Sequence, residues 1–231
     1  MIEVKLIDKM GTDLSVVNAA RVSFDKISDW EYNEKGNGDT EFKDIAGLKE
    51  GDQKLIKYLA THGHWTPFGH ASVSVHVKAP IFVARQLAKH QVGLVWNEIS
   101  RRYVDSDPEF YKPDSWREKH ENKKQGSHED KFVTMLPNGI SVNQGMDAAG
   151  AICFNLYKQM LKGGVCPEQA RMVLPQSMYT EWYWSGSLIA FARICNLRCK
   201  ADAQLETRLV GDQIDTIVRE LFPVSWPALR K

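Results

Sequence analysis

Ser72-Val73-Ser74-Val75-His76-Val77-Lys78 alternates apolar and polar residues without a break, and the six residues after it, Ala79-Pro80-Ile81-Phe82-Val83-Ala84, are almost wholly apolar. A period of two places Val73, Val75 and Val77 on one face of a strand and Ser72, Ser74, His76 and Lys78 on the other, so the strand meets a core by one face. Pro80 suits the first turn of a helix because its missing N–H is not needed there. The pattern predicts a helix from Pro80 to about Gln91, with Ile81, Ala84, Leu87 and Ala88 packed inward and Gln86, Lys89 and His90 on one face.

Working outward, residues 2–8 alternate as a short strand, and Asp13 to Ala20 reads as a helix with Asp13 or Thr12 as its cap. From Asp25 to Gln53 the chain is polar and Gly-rich around Gly36-Asn37-Gly38, an exposed loop. Lys54 to Thr61 is helical in pattern. Residues 104–145 are polar, carry Pro108, Pro113 and Pro137, and read as one long loop that is either a lid or mobile. Helical spacing returns at Ala148, Ala149, Ile152, Cys153, Leu156 and Met160 and stops at Gly163-Gly164. Pro167 opens a short helix, Thr180 to Leu197 reads as a helix with an aromatic first half, and Ala203 to Leu221 is the last helix, closed by Pro223. The fold class expected is α+β, a single domain with a small, mostly antiparallel sheet flanked by helices.

The bulk numbers suit that expectation. A chain of 231 residues with 43% hydrophobic and 26% charged residues can bury a core as one domain. A net charge of +1 argues against a dedicated nucleic-acid binder. No apolar run approaches a membrane span, and the N-terminus lacks the apolar region of a secretory signal, so a cytoplasmic protein with no membrane partner is expected. The cysteines, Cys153, Cys166, Cys195 and Cys199, form no C-x-x-C pair and read as small reduced core residues.

After the predicted helix the composition changes. Between Arg85 and Tyr103 the chain carries Arg85, Lys89, His90, Arg101 and Arg102 but only one carboxylate, Glu98. Polar groups entering a core need partners, and a local excess of cation predicts an anion site, with phosphate the natural occupant. Two further arginines sit in apolar surroundings: Arg171, on the short helix after Pro167, is followed by Met172-Val173-Leu174-Pro175, and Arg198 ends a helix that should be mostly buried. Arginine keeps its charge, so each needs either an external anion or an internal partner such as Glu168, Asp202 or Glu206. His62, His64, His70, His76 and His90 lie close in sequence, but their spacing lacks the carboxylate or helical pattern of a three-ligand site, and no metal is expected. Ser100 has no nucleophile-elbow glycines, so it reads as a substrate-binding hydroxyl.

Lys89-His90-Gln91 followed by Asn97-Glu98-Ile99-Ser100-Arg101-Arg102-Tyr103 resembles the signature of the flavin-dependent thymidylate synthases, with glutamine and lysine at two arginine positions and one extra spacer residue. Asn18-Ala19-Ala20-Arg21-Val22-Ser23, His64-Trp65-Thr66-Pro67-Phe68-Gly69-His70, Ala170-Arg171-Met172-Val173-Leu174-Pro175 and Asn196-Leu197-Arg198 with Ala203-Gln204-Leu205-Glu206 resemble further motifs of that family, in the family's order. Gly69 stands at a glutamate position, Asp202 at a histidine position, and Ile189 and Arg193 differ from the usual flavin-facing residues.

The resemblance implies reductive methylation of dUMP to dTMP with FAD as cofactor, 5,10-methylenetetrahydrofolate as carbon donor and NADPH as reductant. It also implies a homotetramer with shared active sites. By position, Arg198 and Ser100 are the catalytic candidates. Gln86, Glu98, Ser100, Arg101, Arg102, Arg171 and Arg198 would hold dUMP. Thr66, Lys89, His90, Gln91, Asn97, Glu98, Ser187 and Arg193 would meet FAD. The rival reading is a non-catalytic nucleotide or single-stranded nucleic-acid binder using Trp96 and Tyr103 as stacking surfaces.

Overall fold

The computed structural model describes residues 1–33, 45–104, 106–122 and 126–230. The expected loop centre at Gly36-Asn37-Gly38 lies outside these residues. In chain order the elements are β1 (Glu3–Met10), α1 (Asp13–Arg21), β2 (Glu31–Tyr32), β3 (Ile45–Gly47), α2 (Glu50–Thr61), β4 (Ser72–Pro80), α3 (Ile81–Leu87), β5 (Leu94–Glu98), β6 (Arg117–Lys119), β7 (Ser127–Phe132), α4 (Val142–Lys162), α5 (Pro167–Ala170), β8 (Tyr179–Ser187), α6 (Leu188–Arg198), α7 (Leu205–Leu221) and α8 (Ser225–Leu229).

The main sheet has the order β1-β4-β8-β5 and is antiparallel throughout. Val73, Val75 and Val77 of β4 are buried, as the alternation requires. They lie opposite Gly186, Trp184 and Trp182 of β8, so valines and tryptophans share the core face. That core also holds Leu87 of α3, Phe191 and Ile194 of α6, and Val210, Ile214 and Val218 of α7. The other sheet face is polar, with His76 Nε2 3.0 Å from a Glu181 carboxylate oxygen. This α+β sheet with flanking helices is the fold class expected.

Several local expectations change. Thr180 to Leu197 is not one helix: β8 runs to Ser187 and α6 begins at Leu188. The aromatic half alternates, with Trp182 and Trp184 buried between exposed Tyr183 and half-buried Glu181, and large aromatic side chains favour a pleated, half-buried surface. The helix after Pro80 ends at Leu87. The chain then turns through Gly93, whose φ of 78° is a left-handed conformation that favours glycine, and enters β5. Lys89, His90 and Gln91 therefore sit on a turn and do not share a helix face with Gln86.

The polar stretch 104–145 also carries structure: the β6–β7 hairpin, and α4 from Val142. The 25–53 stretch carries the β2–β3 pair and the first turn of α2. At α1 the N-cap is Thr12, whose N–H donates to Ser15 Oγ at 3.0 Å. Asp13 accepts instead from the backbone N–H groups of Val224 and Ser225, at 2.9 and 2.8 Å, and ties the chain ends together. Of the cysteines only Cys195 is buried, while Cys166 is exposed. Among the described residues no helix is long and apolar enough to cross a membrane.

Candidate functional site

The elements that frame the site are β5, the turn before it, the C-terminal end of α6 and the first turn of α7. Arg198 is the last residue of α6, and its Nε donates to His90 Nε2 at 3.0 Å. An imidazole nitrogen that accepts carries no proton, so His90 is the neutral Nδ1–H tautomer. Burial and the neighbouring Arg198 charge both hold its pKa below the ordinary histidine value. Arg198 itself is half-buried and its pKa is lowered by burial. It reaches no carboxylate among the described residues, and Glu206, one of the partners considered for it, pairs with Arg117 at 2.8 Å and accepts from the Tyr111 hydroxyl at 3.5 Å. A partly desolvated guanidinium without a counter-ion is an anion or carbonyl receptor.

Glu98 sits near the end of β5 with both carboxylate oxygens held. Oε1 accepts from Thr180 Oγ1 at 2.6 Å and Oε2 from Trp96 Nε1 at 3.2 Å. Trp96 is itself fixed by stacking on buried Trp182, with centroids 4.2 Å apart. It is not a free stacking surface, which removes half of the nucleic-acid reading. Ser100 Oγ accepts from Arg102 Nε at 3.1 Å and from the Arg102 backbone N–H at 3.3 Å. The Arg101 guanidinium folds back onto the Ser106 carbonyl at 2.5 Å. Gln86 is half-buried on α3, and its Oε1 lies 2.5 Å from Thr207 Oγ1.

Asn97, Lys89 and Gln91 are exposed around this frame, and Arg193 is exposed on α6. Ser187 lies beside the Gly93 turn, where a Cβ on Gly93 would come 3.2 Å from Ser187 Oγ. Thr66 is apart from these residues in the hydrogen-bond network. It lines a cavity of about 580 Å³ with His64, Arg21, Ser23, Phe24 and Lys26 among others. Arg171 is exposed and not among apolar neighbours as expected; its Nε donates to the Glu168 carbonyl at 3.2 Å. Of the internal partners considered for the two arginines, no carboxylate is used by either.

The chain matches the family described as thymidylate synthase complementing protein over residues 5–224. It belongs to that family. The flavin-dependent thymidylate synthase of Thermus thermophilus is 37% identical over 228 residues, which is 99% of this chain and 75% of that protein. The flavin-dependent thymidylate synthase of Thermosipho africanus is 35% identical over 229 residues, 98% of this chain and 90% of that protein. Among solved structures, the UMP/dUMP methylase PolB of Streptomyces cacaoi bound with 5-Br dUMP is 31% identical, with a TM-score of 0.75 covering 99% of this chain and 94% of that one.

The donor set fits a flavin dinucleotide. Lys89, Arg85 and Arg193 are exposed cations with no ion pair among the described residues, as a pyrophosphate requires. The Gly93 turn packs closely on Ala190 and Ser187, which a Cβ there would meet at 3.2 Å each, and this holds Ser187 beside the Lys89–Gln91 turn. The departures at Gly69, Gln91, Ile189 and Asp202 fall on exposed or edge positions, apart from Ile189, which packs against the core. Sequence reading missed Thr207 and Thr180, and took Trp96 for a stacking surface when it holds Glu98. The roles of Thr180 and Trp96 are invisible once β8 and β5 are unrecognised. Thr207 lies in the last helix, where the periodic pattern marks only apolar residues.

Proposed function

We propose that this chain catalyses the reductive methylation of dUMP to dTMP with FAD, 5,10-methylenetetrahydrofolate as carbon donor and NADPH as reductant. The observation that carries the reading is Arg198, half-buried, without a carboxylate and steadied by neutral His90. Bound FAD would carry reducing equivalents from NADPH to the pyrimidine.

The chain's own residues bind and polarise. The Arg198 guanidinium, placed against a pyrimidine carbonyl, draws electron density from the ring and opens it to addition without a protein nucleophile. Because His90 accepts at Nε2, it fixes the guanidinium without adding a competing charge. Glu98, pinned by Thr180 and Trp96, offers its remaining lone pairs to the sugar or ring. Ser100, Arg102, Arg171, Gln86 and the Arg101 backbone hold the nucleotide and its phosphate. Lys89, His90, Gln91, Asn97, Glu98, Thr66, Ser187 and Arg193 would hold FAD.

A homotetramer with shared sites accounts for two further features. Thr66 and Arg171 make no hydrogen bond to the rest of the set among the described residues. The long helix α4 buries only Tyr157 and leaves Ile152 and Leu156 at 67% and 47% exposure, an apolar face that a second copy would cover.

The test is an absorption spectrum of the purified protein with NADPH added without air. Flavin bands that bleach, faster with dUMP present, support the reading; a colourless protein that takes up no FAD refutes it. Arg198→Ala should keep the flavin bands and lose methylation by about a hundredfold or more. Normal turnover by that variant would remove Arg198 from the centre of the mechanism.

A further inference from the structure

We propose that Thr207 is a positioning residue that sets the polarity of the Gln86 side-chain amide. The inference rests on the proposed binding of dUMP at Gln86.

Gln86 is on α3 and Thr207 is in the first turn of α7, 121 residues away in sequence. Thr207 is fully buried, at 0% exposure. Its Oγ1 meets Gln86 Oε1 at 2.5 Å, and since an amide oxygen only accepts, the threonine hydroxyl donates. The carbonyl pole of the amide is thereby turned into the protein. The remaining pole, the NH2 with its two donors, has no partner among the described residues and is the pole left for a ligand.

That polarity matters because the phosphate oxygens and ring carbonyls of dUMP are acceptors, and an outward NH2 serves these groups rather than the N3–H or sugar hydroxyl donors. An amide presented the other way round would set its carbonyl oxygen against an anion. In the arrangement observed the buried hydroxyl donates to the amide oxygen, so the NH2 is already turned outward before substrate arrives, which is preorganisation by one hydrogen bond. Neighbouring geometry keeps Thr207 in place. Its backbone N–H donates to the Gln204 carbonyl at 3.1 Å, and the preceding residue, Glu206, is locked to Arg117. The two helices thus meet at a polar contact inside an otherwise apolar junction, where an idle hydroxyl would cost stability.

The experiment uses the FAD-loaded full chain with Thr207→Val, which keeps the shape and removes the hydroxyl, and Thr207→Ser, which restores it. Thr207→Val should raise the KM for dUMP about tenfold, the scale of one hydrogen bond to a charged group. It should leave kcat within about twofold, because the bond is made equally in the ground and transition states. Inhibition by deoxyuridine, which lacks the phosphate, should change less than dUMP binding if the NH2 meets phosphate, and equally if it meets the ring. Thr207→Ser should return the KM to the parent value.

The decisive control is the cycle with Gln86→Ala. If Thr207 acts through the amide, Thr207→Val has no further effect on KM in that background. An equal effect in both backgrounds, or an unchanged KM in Thr207→Val with parental flavin content and melting temperature, overturns the proposal. A parent protein that neither binds nor methylates dUMP would instead refute the proposed function and leave the Thr207–Gln86 contact a structural one.

Discussion

Replacing Gly186 by alanine should loosen the strand that carries the site. Gly186 lies in β8 directly opposite Leu94, the first residue of β5. Its backbone φ is not left-handed, so the effect of a side chain there is steric alone. A Cβ at this position would come 2.5 Å from Leu94 Cδ2 and 2.6 Å from the Gly93 carbonyl oxygen. Leu94 has rotamers to spare, but the carbonyl is backbone and accepts from the Ser187 N–H at 3.2 Å. To restore van der Waals contact the start of β5 has to retreat by about 0.8 Å, which weakens that hydrogen bond and the next rung of the ladder. Overpacking costs roughly 1–3 kcal/mol and each weakened hydrogen bond about 1 kcal/mol more, so about 2–4 kcal/mol is expected. For a chain of this size that lowers the melting temperature by roughly 5–15 °C. The assay is thermal unfolding followed by circular dichroism, beside Gly51→Ala in α2, where a Cβ meets nothing within 4 Å and the melting point should hold or rise slightly. The displaced strand also carries Glu98, proposed above to bind dUMP, so on that reading the dUMP KM should rise with the loss of stability. A Gly186→Ala protein melting within about 1 °C of its parent would refute the packing argument, because only a β5 free to move could absorb the clash at so little cost.

Two further outcomes follow from named contacts. His90 has a folded pKa below its ordinary value of 6.5, chiefly through burial and then through Arg198. The unfolded chain therefore takes up the proton first. The stability from neutral His90 is complete above about pH 6.5 and is lost as the pH falls from there through the folded pKa. Melting temperatures between pH 8 and 5 should show this acid limb in the parent and a flatter one in His90→Gln; parallel curves would mean that the pair is not formed in solution. At the β6–β7 hairpin, Arg117 and Glu206 pair with their side chains only 19% and 7% exposed. Arg117→Met leaves a buried carboxylate without its cation and should cost about 3–5 kcal/mol. Arg117→Met with Glu206→Met should recover much of that loss in denaturant unfolding, and a double variant no more stable than the single one would contradict the assignment.

What the sequence made legible follows from periodicity and from short motifs. Val73, Val75 and Val77 announced their strand because one face is apolar and the other is not. The apolar stripe of α7 was equally plain. β8 was missed because its inward face is tryptophan and its strand passes into α6 with no proline to mark the junction, so an aromatic run and a helical run read as one element. β5 was missed because its residues were read for charge and not for period. The long stretch before α4 looked structureless because the β6–β7 hairpin has little apolar alternation and is held by the buried Arg117–Glu206 pair, which no local window reveals.

The candidate site divides in the same way. Motif residues such as Arg198, His90, Ser100, Arg102 and Glu98 were named from order and spacing, and the fold does bring Arg198 to His90 and Ser100 to Arg102. The residues that hold them were not named in that role. Thr180 and Trp96 clamp Glu98, and Thr207 holds Gln86, through contacts between elements 82 and 121 residues apart in two of the three cases. Each holder is a neutral donor; it acquires this role only because a strand register or a helix packing angle sets its hydrogen against one particular acceptor. A ligand-binding carboxylate or amide must keep a fixed orientation while empty, and in this fold the core-facing edges of β8, β5 and α7 supply that constraint. Substitutions there are therefore expected to alter substrate affinity while leaving every motif residue intact.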